Sequence, residues 1–321
     1  MLRVGIAASG GGHTGYAVSL AQRLAGKAEL VFFIPKGDRW TASKVGKYGE
    51  TIEIIKPRGP NEGLSKLVTG LPKAMLESLK KVRDLDVFVS TGSNHSVAPA
   101  LIAWIRGIPV INIESSVRFT RPSSSAKHLA RIADLTVLQW EEQRKILPSG
   151  RVFGPLYELP EYSVDDKGYI LITAGTYGYK RLFDAILDLD LDNVVLQTGR
   201  VDPNIYRKAR PSWVVFDYDP DFSKWIAGAS LVITHLGKTV IDSALTYGKP
   251  TIIIPNPEWR LTAGAEDAKI LAEKLGICYQ EDLSSHAIRN AIDECRRKVP
   301  KKYKDGSQEL AEYILSNYGK R

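Results

Sequence analysis

The sequence predicts an α/β protein with two doubly wound parallel sheets, and three observations support this. The chain has 321 residues, which exceeds the usual size of one hydrophobic core. In both halves, short runs rich in Val and Ile alternate with longer amphipathic stretches, the pattern of buried parallel strands joined by crossover helices. A turn-rich stretch from Gly154 to Gly168 separates the halves. We therefore predict one domain over residues 1–158 and another over 159–321, whose last helix can pack back on the first.

The strands are predicted from the apolar runs. In the first domain they are Leu2–Ala8, Leu30–Ile34, Thr51–Ile55, Asp86–Ser90, Pro109–Ile113 and Leu135–Leu138. In the second they are Tyr169–Thr173, Asn193–Gln197, Trp213–Phe216, Leu231–Thr234 and Thr251–Ile254. Doubly wound sheets bind ligands outside the carboxyl ends of their strands. We therefore expect the two Rossmann-like domains to face a central cleft that holds the site.

Net charge and cysteine content indicate which classes of partner the protein can bind and which cell compartment it occupies. The formal net charge of +8 fits nucleic acid, anionic lipid or a phosphorylated small molecule, but we find no nucleic-acid-binding motif. Cys278 and Cys295 have no neighbouring His or Cys, so we expect buried thiols in a reducing cytoplasm. The acidic clusters Asp188–Asp192 and Asp217–Asp221 are interpreted as solvated residues, and no metal site is predicted. The first apolar run is too short for a signal sequence or a membrane span.

The first strand leads into Ser9-Gly10-Gly11-Gly12-His13-Thr14-Gly15, and we expect a helix from about Tyr16. Glycines let backbone amides close around an anion, and a helix amino end adds partial positive charge. The pattern lacks the Gly-Lys-Ser/Thr of a P-loop and is a poor dinucleotide fingerprint. A plain turn is the alternative, but three consecutive glycines favour an anion site. The predicted diphosphate-binding residues here are Gly10, Gly11, Gly12 and Thr14.

Two residues are candidates for a general base. His13 lies beside the predicted anion site, and an imidazole has an ordinary pKa near neutrality. Glu114 ends the predicted strand Pro109–Ile113 on the ligand side, although such a carboxylate can also cap the next helix. Asn94, which follows another strand on that side, and Arg118 are assigned to the diphosphate site.

The second half contains two further anion-friendly turns. Ala174-Gly175-Thr176-Tyr177-Gly178 follows its first strand, and Thr234-His235-Leu236-Gly237-Lys238-Thr239 follows Leu231-Val232-Ile233. Each signal is weak alone, since a lone His235 is more often a packed or capping residue. Together they predict a nucleotide diphosphate. The predicted donor-binding residues are Gly175, Thr176, Tyr177, His235, Gly237, Lys238, Thr239, Asp242 and Asp267.

These motifs resemble the eukaryotic two-subunit transferase that adds the second GlcNAc to dolichol diphosphate. The first half is similar to its membrane-recruiting subunit and the second half to its catalytic subunit. The chain is more distantly similar to the bacterial transferase that adds GlcNAc to the undecaprenyl-diphosphate precursor of peptidoglycan. The segments that carry the resemblance are Ser9–Gly15, Ile113-Glu114-Ser115, Ile132–Leu135, Gln139-Trp140, Ala174-Gly175-Thr176, Leu231–His235 with Gly237, and Gly248-Lys249-Pro250.

The resemblance implies the GT-B fold and an inverting, metal-independent enzyme without a cofactor. It implies UDP-GlcNAc as donor and a β1,4 link to a GlcNAc-diphosphate-polyprenol, of the dolichol type in an archaeon. The acceptor diphosphate would rest on the Gly10–Gly15 turn, and His13 or Glu114 would take the proton. Helix amino ends near Thr176 and Gly237, with Lys238 as an extra cation, would stabilise the leaving UDP.

Two departures from that family concern the donor. A Glu usual after the His-x-Gly turn is Ser243 in direct register, with Asp242 before it, and a later Gln is replaced by Glu266-Asp267-Ala268. UDP-glucose or another UDP-sugar therefore stays open as donor. The rival interpretations are a UDP-GlcNAc epimerase and a nucleotide-sugar-binding scaffold that has lost activity.

Residues 64–83 carry apolar side chains at helical spacing together with four Lys and one Arg. Such a helix can lie in an anionic membrane interface, so we expect a peripheral protein on the cytoplasmic face. The alternative is a surface helix packed on its own domain and interrupted at Pro72.

Overall fold

The computed structural model describes residues 1–58, 64–258 and 263–319. Two compact units make up the chain: Met1–Glu158 with Lys304–Arg321, and Leu159–Tyr303. Helices and strands are numbered along the chain.

The first unit contains a seven-stranded sheet in the order β3-β2-β1-β4-β5-β6-β7, and every neighbouring pair is parallel. The order changes direction between β1 and β4, where doubly wound sheets bind ligands. The strands are β1 Arg3–Ala7, β2 Glu29–Pro35, β3 Glu50–Ile54, β4 Val87–Ser90, β5 Val110–Ile113, β6 Leu135–Leu138 and β7 Arg151–Val152.

Helices cover both faces of this sheet, which explains why β4, β5 and β6 are buried along their whole length. They are α1 Gly11–Leu24, α2 Arg39–Val45, α3 Leu64–Lys81, α4 Val97–Ile105, α5 Ser124–Leu129 and α12 Gly306–Tyr318, with a 3₁₀ helix at Glu141–Lys145. Helix α12 joins the core of the first unit, and Arg23 of α1 pairs with Asp305 at 2.7 Å.

The prediction that the first helix starts near Tyr16 is wrong, because α1 begins at Gly11. The first four amides of a helix need no carbonyl partner within it, so the glycine segment forms the first turn of α1.

The second unit contains a six-stranded parallel sheet in the order β10-β9-β8-β11-β12-β13, with its change of direction between β8 and β11. The strands are β8 Tyr169–Thr173, β9 Val194–Gln197, β10 Val214–Phe216, β11 Ala229–Thr234, β12 Thr251–Ile253 and β13 Cys278–Tyr279. The helices are α6 Lys180–Leu187, α7 Pro203–Ala209, α8 Ser223–Gly228, α9 Lys238–Ile241, α10 Ala265–Leu275 and α11 Ser285–Cys295. A 3₁₀ turn spans Gly175–Tyr177 and a π-helical turn spans Asp242–Thr246.

All predicted strands are present, with ends shifted by two residues at most. The edge strands β7 and β13 were not predicted, since two residues carry no periodic pattern. Both cysteines are buried free thiols. Within the part of the chain that the structure describes, no helix is long and apolar enough to cross a membrane.

Candidate functional site

The glycine turn after β1 opens helix α1. Gly10 and Gly11 have φ angles of 58° and 54°, a region that glycine adopts without steric strain. The Gly10 amide donates to Thr41 Oγ1 at 3.0 Å, and this hydroxyl donates to Asp38 Oδ2 at 2.7 Å. No side chain of the described residues caps α1 at Gly10, and its first turn has no acidic residue. The amino end of α1 can therefore accept an anion.

Thr14 supports this turn from the inside. Its side chain is buried, and its hydroxyl forms a 3.0 Å hydrogen bond with the hydroxyl of Thr41. Among the predicted diphosphate-binding residues of the turn, the structure therefore exposes Gly11 and half-exposes Gly10 and Gly12, whereas the Thr14 side chain belongs to the packing.

The His13 ring is fixed in one orientation. Its Nδ1–H donates to the carbonyl of Thr91 at 2.7 Å, which leaves the lone pair of Nε2 available. The ring lies against Gly92, where a Cβ atom would stand 3.1 Å from His13 Cε1 and φ is 90°. Gly92 thus makes room for the imidazole, and the sequence did not reveal this because the ring comes from helix α1, far away along the chain.

The imidazole of His13 is held neutral. Burial lowers its pKa below the ordinary 6.5, the bond to Thr91 opposes this, and the charges of Lys56 and Arg118 lower the pKa further. A neutral ring with Nε2 unprotonated can accept a proton from a hydroxyl.

Glu114 is fully buried, and both carboxylate oxygens accept backbone amides. Ser115 N–H donates to Oε1 at 2.7 Å and Ser123 N–H donates to Oε2 at 2.8 Å. Burial raises the pKa of this carboxyl, while the amides and Arg118 lower it. The geometry matches the capping alternative, because Ser123 is the N-cap of α5.

Three side chains after β6 hold the loop that carries Glu114 and Arg118. Gln139 Nε2 donates to the carbonyl of Glu114 at 2.8 Å, and Trp140 Nε1 donates to that of Ser116 at 2.7 Å. Gln143 Nε2 donates to the carbonyls of Ser115 at 2.7 Å and Arg118 at 2.8 Å. The Gln139-Trp140 motif therefore sets the position of the Glu114 loop.

Asn94 and two unpredicted cations lie at the same edge of the sheet. Asn94 Nδ2 donates to the carbonyl of Arg58 at 2.9 Å. Lys56 and Arg58 follow β3 directly, and Lys56 is close enough to His13 to lower the pKa of its imidazole. Sequence reasoning missed these two residues, although their position immediately after a predicted strand was the signal that could have found them.

In the second unit, the turns after β8 and β9 touch through two glycines. A Cβ on Gly178 would stand 2.3 Å from the carbonyl oxygen of Thr198, and one on Gly199 would stand 2.5 Å from that of Gly175. The guanidinium of Arg200 lies over the Tyr177 ring at 4.4 Å. The turn after β9 thus packs against the predicted segment Gly175–Tyr177, and this contact was not predicted.

His235 lies between the other predicted donor residues. A Cβ on Gly175 would stand 3.2 Å from His235 Cε1, and a Cβ on Gly237 would stand 3.2 Å from Nε2. Burial lowers the pKa of His235 to about 4, so the ring is neutral. The structure therefore brings Gly175, His235 and Gly237 together at the β8–β11 change of direction.

The charged donor candidates engage one another. Lys238 donates to Asp242 one turn along, and their side chains are 7% and 21% exposed. Thr239 accepts a 2.8 Å bond at its carbonyl from the hydroxyl of Ser243, which is buried. Ser243 is therefore a packing residue. Asp242, the residue before it, has the partly exposed carboxylate.

Asp267 caps its own helix. Its Oδ2 accepts a hydrogen bond from the Gly264 amide at 2.9 Å at the start of α10, and the side chain is 2% exposed.

Thr176, within the 3₁₀ turn, is exposed. Among the described residues, no three His, Cys, Asp or Glu side chains form a group that could hold a metal ion.

One family model and several curated relatives match the chain. Residues 169–316 match the model of the glycosyltransferase family 28 C-terminal domain. A relative from Caldicellulosiruptor saccharolyticus is 24% identical over 91% of this chain and 89% of its own. A relative from Crocosphaera subtropica is 24% identical over 98% of this chain and 96% of its own. Both are named UDP-N-acetylglucosamine–N-acetylmuramyl-(pentapeptide) pyrophosphoryl-undecaprenol N-acetylglucosamine transferase.

Solved structures share the fold. MurG of Acinetobacter baumannii has a TM-score of 0.70 at 17% identity, covering 98% of this chain and 100% of its own. UDP-GlcNAc 2-epimerase from Neisseria meningitidis has a TM-score of 0.69 at 14% identity, with the same coverage.

The predicted GT-B fold of two parallel-sheet α/β domains is confirmed. The predicted class of enzyme, a hexosyltransferase, is confirmed by the family match together with the relatives.

Proposed function

We propose that this chain, a GT-B glycosyltransferase with a family 28 C-terminal domain, transfers GlcNAc from UDP-GlcNAc to a polyprenyl-diphosphate-linked sugar. The acceptor is a GlcNAc-diphosphate-polyprenol of the dolichol type. The product carries a β1,4 link and serves the lipid-linked stage of N-glycan synthesis in an archaeon. The relatives support the donor and the lipid-diphosphate acceptor, because their name contains both.

One observation carries the proposal. An imidazole with an available Nε2 is held at the amino end of an uncapped helix, beside a glycine turn whose amides suit an anion. An acceptor whose diphosphate binds at this turn brings a sugar hydroxyl near a neutral base.

The reaction is a single displacement. Nε2 of His13 takes the proton of the acceptor hydroxyl, and the hydroxyl oxygen forms a bond to the anomeric carbon of the donor. The bond between this carbon and UDP breaks, UDP leaves with the electron pair, and the configuration inverts. Backbone amides at Thr176 and at Gly237 to Thr239 stabilise the charge on UDP, so the reaction is metal-independent.

Glu114 acts as a positioning residue in this proposal. Its oxygens already accept two amides, and the loop that it organises carries Arg118. Arg118 is half-buried beside His13 and Glu114, where its charge suits the acceptor diphosphate.

The test is transfer itself. Purified protein is incubated with UDP-GlcNAc and a synthetic GlcNAc-diphosphate-polyprenol, with and without EDTA, and the lipid is analysed by mass spectrometry. We expect one added GlcNAc in both samples, and UDP-glucose as competitor tests the donor. A changed donor sugar without any lipid would instead indicate an epimerase, and nucleotide binding without any product would indicate a scaffold.

Membrane contact is proposed through α3 and the end of α4. Helix α3 packs inward through Ala74, as does Val82 directly after it, and leaves Val68 and Leu76 71% and 63% exposed. Arg106 joins the helices by donating to the Leu79 carbonyl at 2.6 Å. The other exposed apolar residues of this surface are Leu79, Trp104 and Ile105.

Lysines around this surface suit anionic headgroups on the cytoplasmic face. Lys73→Glu with Lys80→Glu is expected to abolish co-sedimentation with anionic vesicles, since both side chains are exposed. Lys81 is left intact because it donates to the Glu53 carbonyl at 2.6 Å. Lys27→Glu, an exposed site after α1, is the control. Unchanged binding of the double variant would reject the membrane surface.

A further inference from the structure

Lys56 is a half-buried cation with no hydrogen bond or ion pair to any described residue. Burial lowers the pKa of its ammonium, and the nearby charge of Asp38 only partly opposes this. A partly buried ammonium without a bonded partner is unfavourable in the unliganded protein. An anionic ligand would supply that partner.

We propose that Lys56 binds a phosphate of the lipid acceptor beside the amino end of α1, so that the charge of this phosphate acts on the His13 ring. The inference rests on the proposed function, which provides the diphosphate of the acceptor.

Backbone contacts place Lys56 at the edge where the acceptor binds. Lys56 comes two residues after the end of β3 at Ile54, whose carbonyl accepts the Lys36 amide at 3.0 Å. Asn94, from the turn after β4, donates to the carbonyl of Arg58 at 2.9 Å. Residues 56–58 therefore lie along the carboxyl ends of neighbouring strands, on the side of His13 opposite to β5 and its Arg118 loop.

Polar atoms around this segment also lack partners. Arg58 Nε, Asn94 Oδ1 and His95 Nδ1 are buried and have no hydrogen bond within the described ranges. His95 is fully buried, and its Nε2–H donates to the Phe33 carbonyl at 3.2 Å, so Nδ1 is an acceptor. Buried polar atoms without partners are rare in folded proteins. Arg58 Nε is a donor that suits a phosphate oxygen, as does the Lys56 ammonium, whereas Asn94 Oδ1 and His95 Nδ1 are acceptors that suit hydroxyl or amide donors of the attached sugar.

Burial, with a further contribution from the charges that face His13, makes its ring a weak base before the acceptor binds. Lys56 after β3 and Arg118 after β5 both lower the pKa of this imidazole. His95 after β4 is held neutral, because burial lowers its pKa to about 4, and Asp38 before α2 acts on Lys56 and His95. A diphosphate beside Lys56 adds opposing negative charge, which raises the pKa of His13. Acceptor binding thus strengthens the base that must act on that acceptor.

The experiment measures the titration of His13 in the full chain with inorganic diphosphate as probe. Saturating UDP is present throughout, so that the second unit does not contribute diphosphate binding. The chain has five histidines, and His13→Gln identifies the His13 resonance in the NMR spectrum of ¹⁵N-histidine-labelled protein. The variants are Lys56→Gln and Lys56→Arg, with Lys27→Gln as a charge-matched control that is exposed elsewhere in the same unit.

We expect diphosphate to raise the pKa of His13 in the wild type and in Lys27→Gln. Lys56→Gln should bind diphosphate about tenfold more weakly, because one charged hydrogen bond is lost. Its free form should also show a higher His13 pKa than the wild type, since one repelling charge is gone. In Lys56→Arg, diphosphate should still raise the pKa of His13.

Equal diphosphate affinity in the wild type and Lys56→Gln would overturn the proposal. So would equal loss in Lys56→Arg, because that result would assign Lys56 to packing. If no lipid is glycosylated while the diphosphate response still depends on Lys56, the proposed function fails and the phosphate site stands.

Discussion

Each unit places a histidine ring against a glycine that follows a neighbouring strand. In the first unit His13 lies against Gly92, and in the second His235 lies against Gly175, with hypothetical Cβ contacts of 3.1 and 3.2 Å. The histidine follows the first strand of its sheet, β1, in the first unit and the fourth, β11, in the second. Both units therefore pack a histidine against a glycine where the strand order changes direction. The histidine follows the earlier of the two strands in the first unit and the later one in the second.

The electrostatics of the two places differ. Both rings are half-buried, but the charges of Lys56 and Arg118 act on His13, whereas burial alone lowers the pKa of His235, to about 4. In the second unit the nearby cation, Lys238, is already paired with Asp242. The first unit thus suits proton transfer and anion binding, and the second suits neutral contacts and backbone amides around the nucleotide proposed to bind there.

Replacing the first histidine tests this difference most strongly. His13→Gln should lower kcat by about 10²- to 10⁴-fold, because the proton acceptor is lost, and should leave the KM for the donor unchanged. His235→Gln should instead raise the KM for the donor. Steady-state transfer assays with both substrates separate the two effects. If the two variants behaved alike, the assignment of the base to the first unit would be wrong.

Glu114→Gln separates a positioning carboxylate from a base. A side-chain NH₂ would face one of the two backbone amides, which should destabilise the protein by about 1–3 kcal/mol in urea unfolding. Transfer should fall less than in His13→Gln.

The pH profile completes this test. A base with a lowered pKa loses activity only as the pH falls through that value, so the acid limb of kcat/KM should lie below 6.5. It should stay there in Glu114→Gln. A limb that disappears in this variant would make Glu114 the base.

Much of this comparison could be predicted from the sequence. Buried parallel strands form continuous apolar runs, so the strand ends identified both turns and both histidines. The sequence left Glu114 open between a base and a helix cap, because the Ser123 amide that donates to its carboxylate comes from a loop folded back on the strand end. The role of Lys56 could not be predicted from the sequence, because a lysine in a loop is normally solvated. Only the fold shows that Lys56 is half-buried.

The two glycines offer a finer test. Gly92→Ala and Gly175→Ala each introduce a Cβ at positive φ, 90° and 65°, which should cost about 1–2 kcal/mol of stability. Gly92→Ala should also reduce kcat by moving His13, and Gly175→Ala should raise the KM for the donor. Gly107→Ala is the control, because φ is 70° there and nothing lies within 4 Å of the new Cβ. It should lose stability and keep both kinetic constants, and altered kinetics in this control would remove the steric explanation.

The smallest expected effect concerns Lys238 and Asp242. Since they pair with one another, Lys238→Met should raise the KM for the donor by only about two- to fivefold. Asp242→Asn should be more harmful, because the 7% exposed ammonium loses this counter-charge. The double variant should then be no worse than Asp242→Asn, as expected for coupled partners in a double-mutant cycle. Additive losses would mean that each side chain contacts the donor independently, and the second unit would then resemble the first in using unpaired charge.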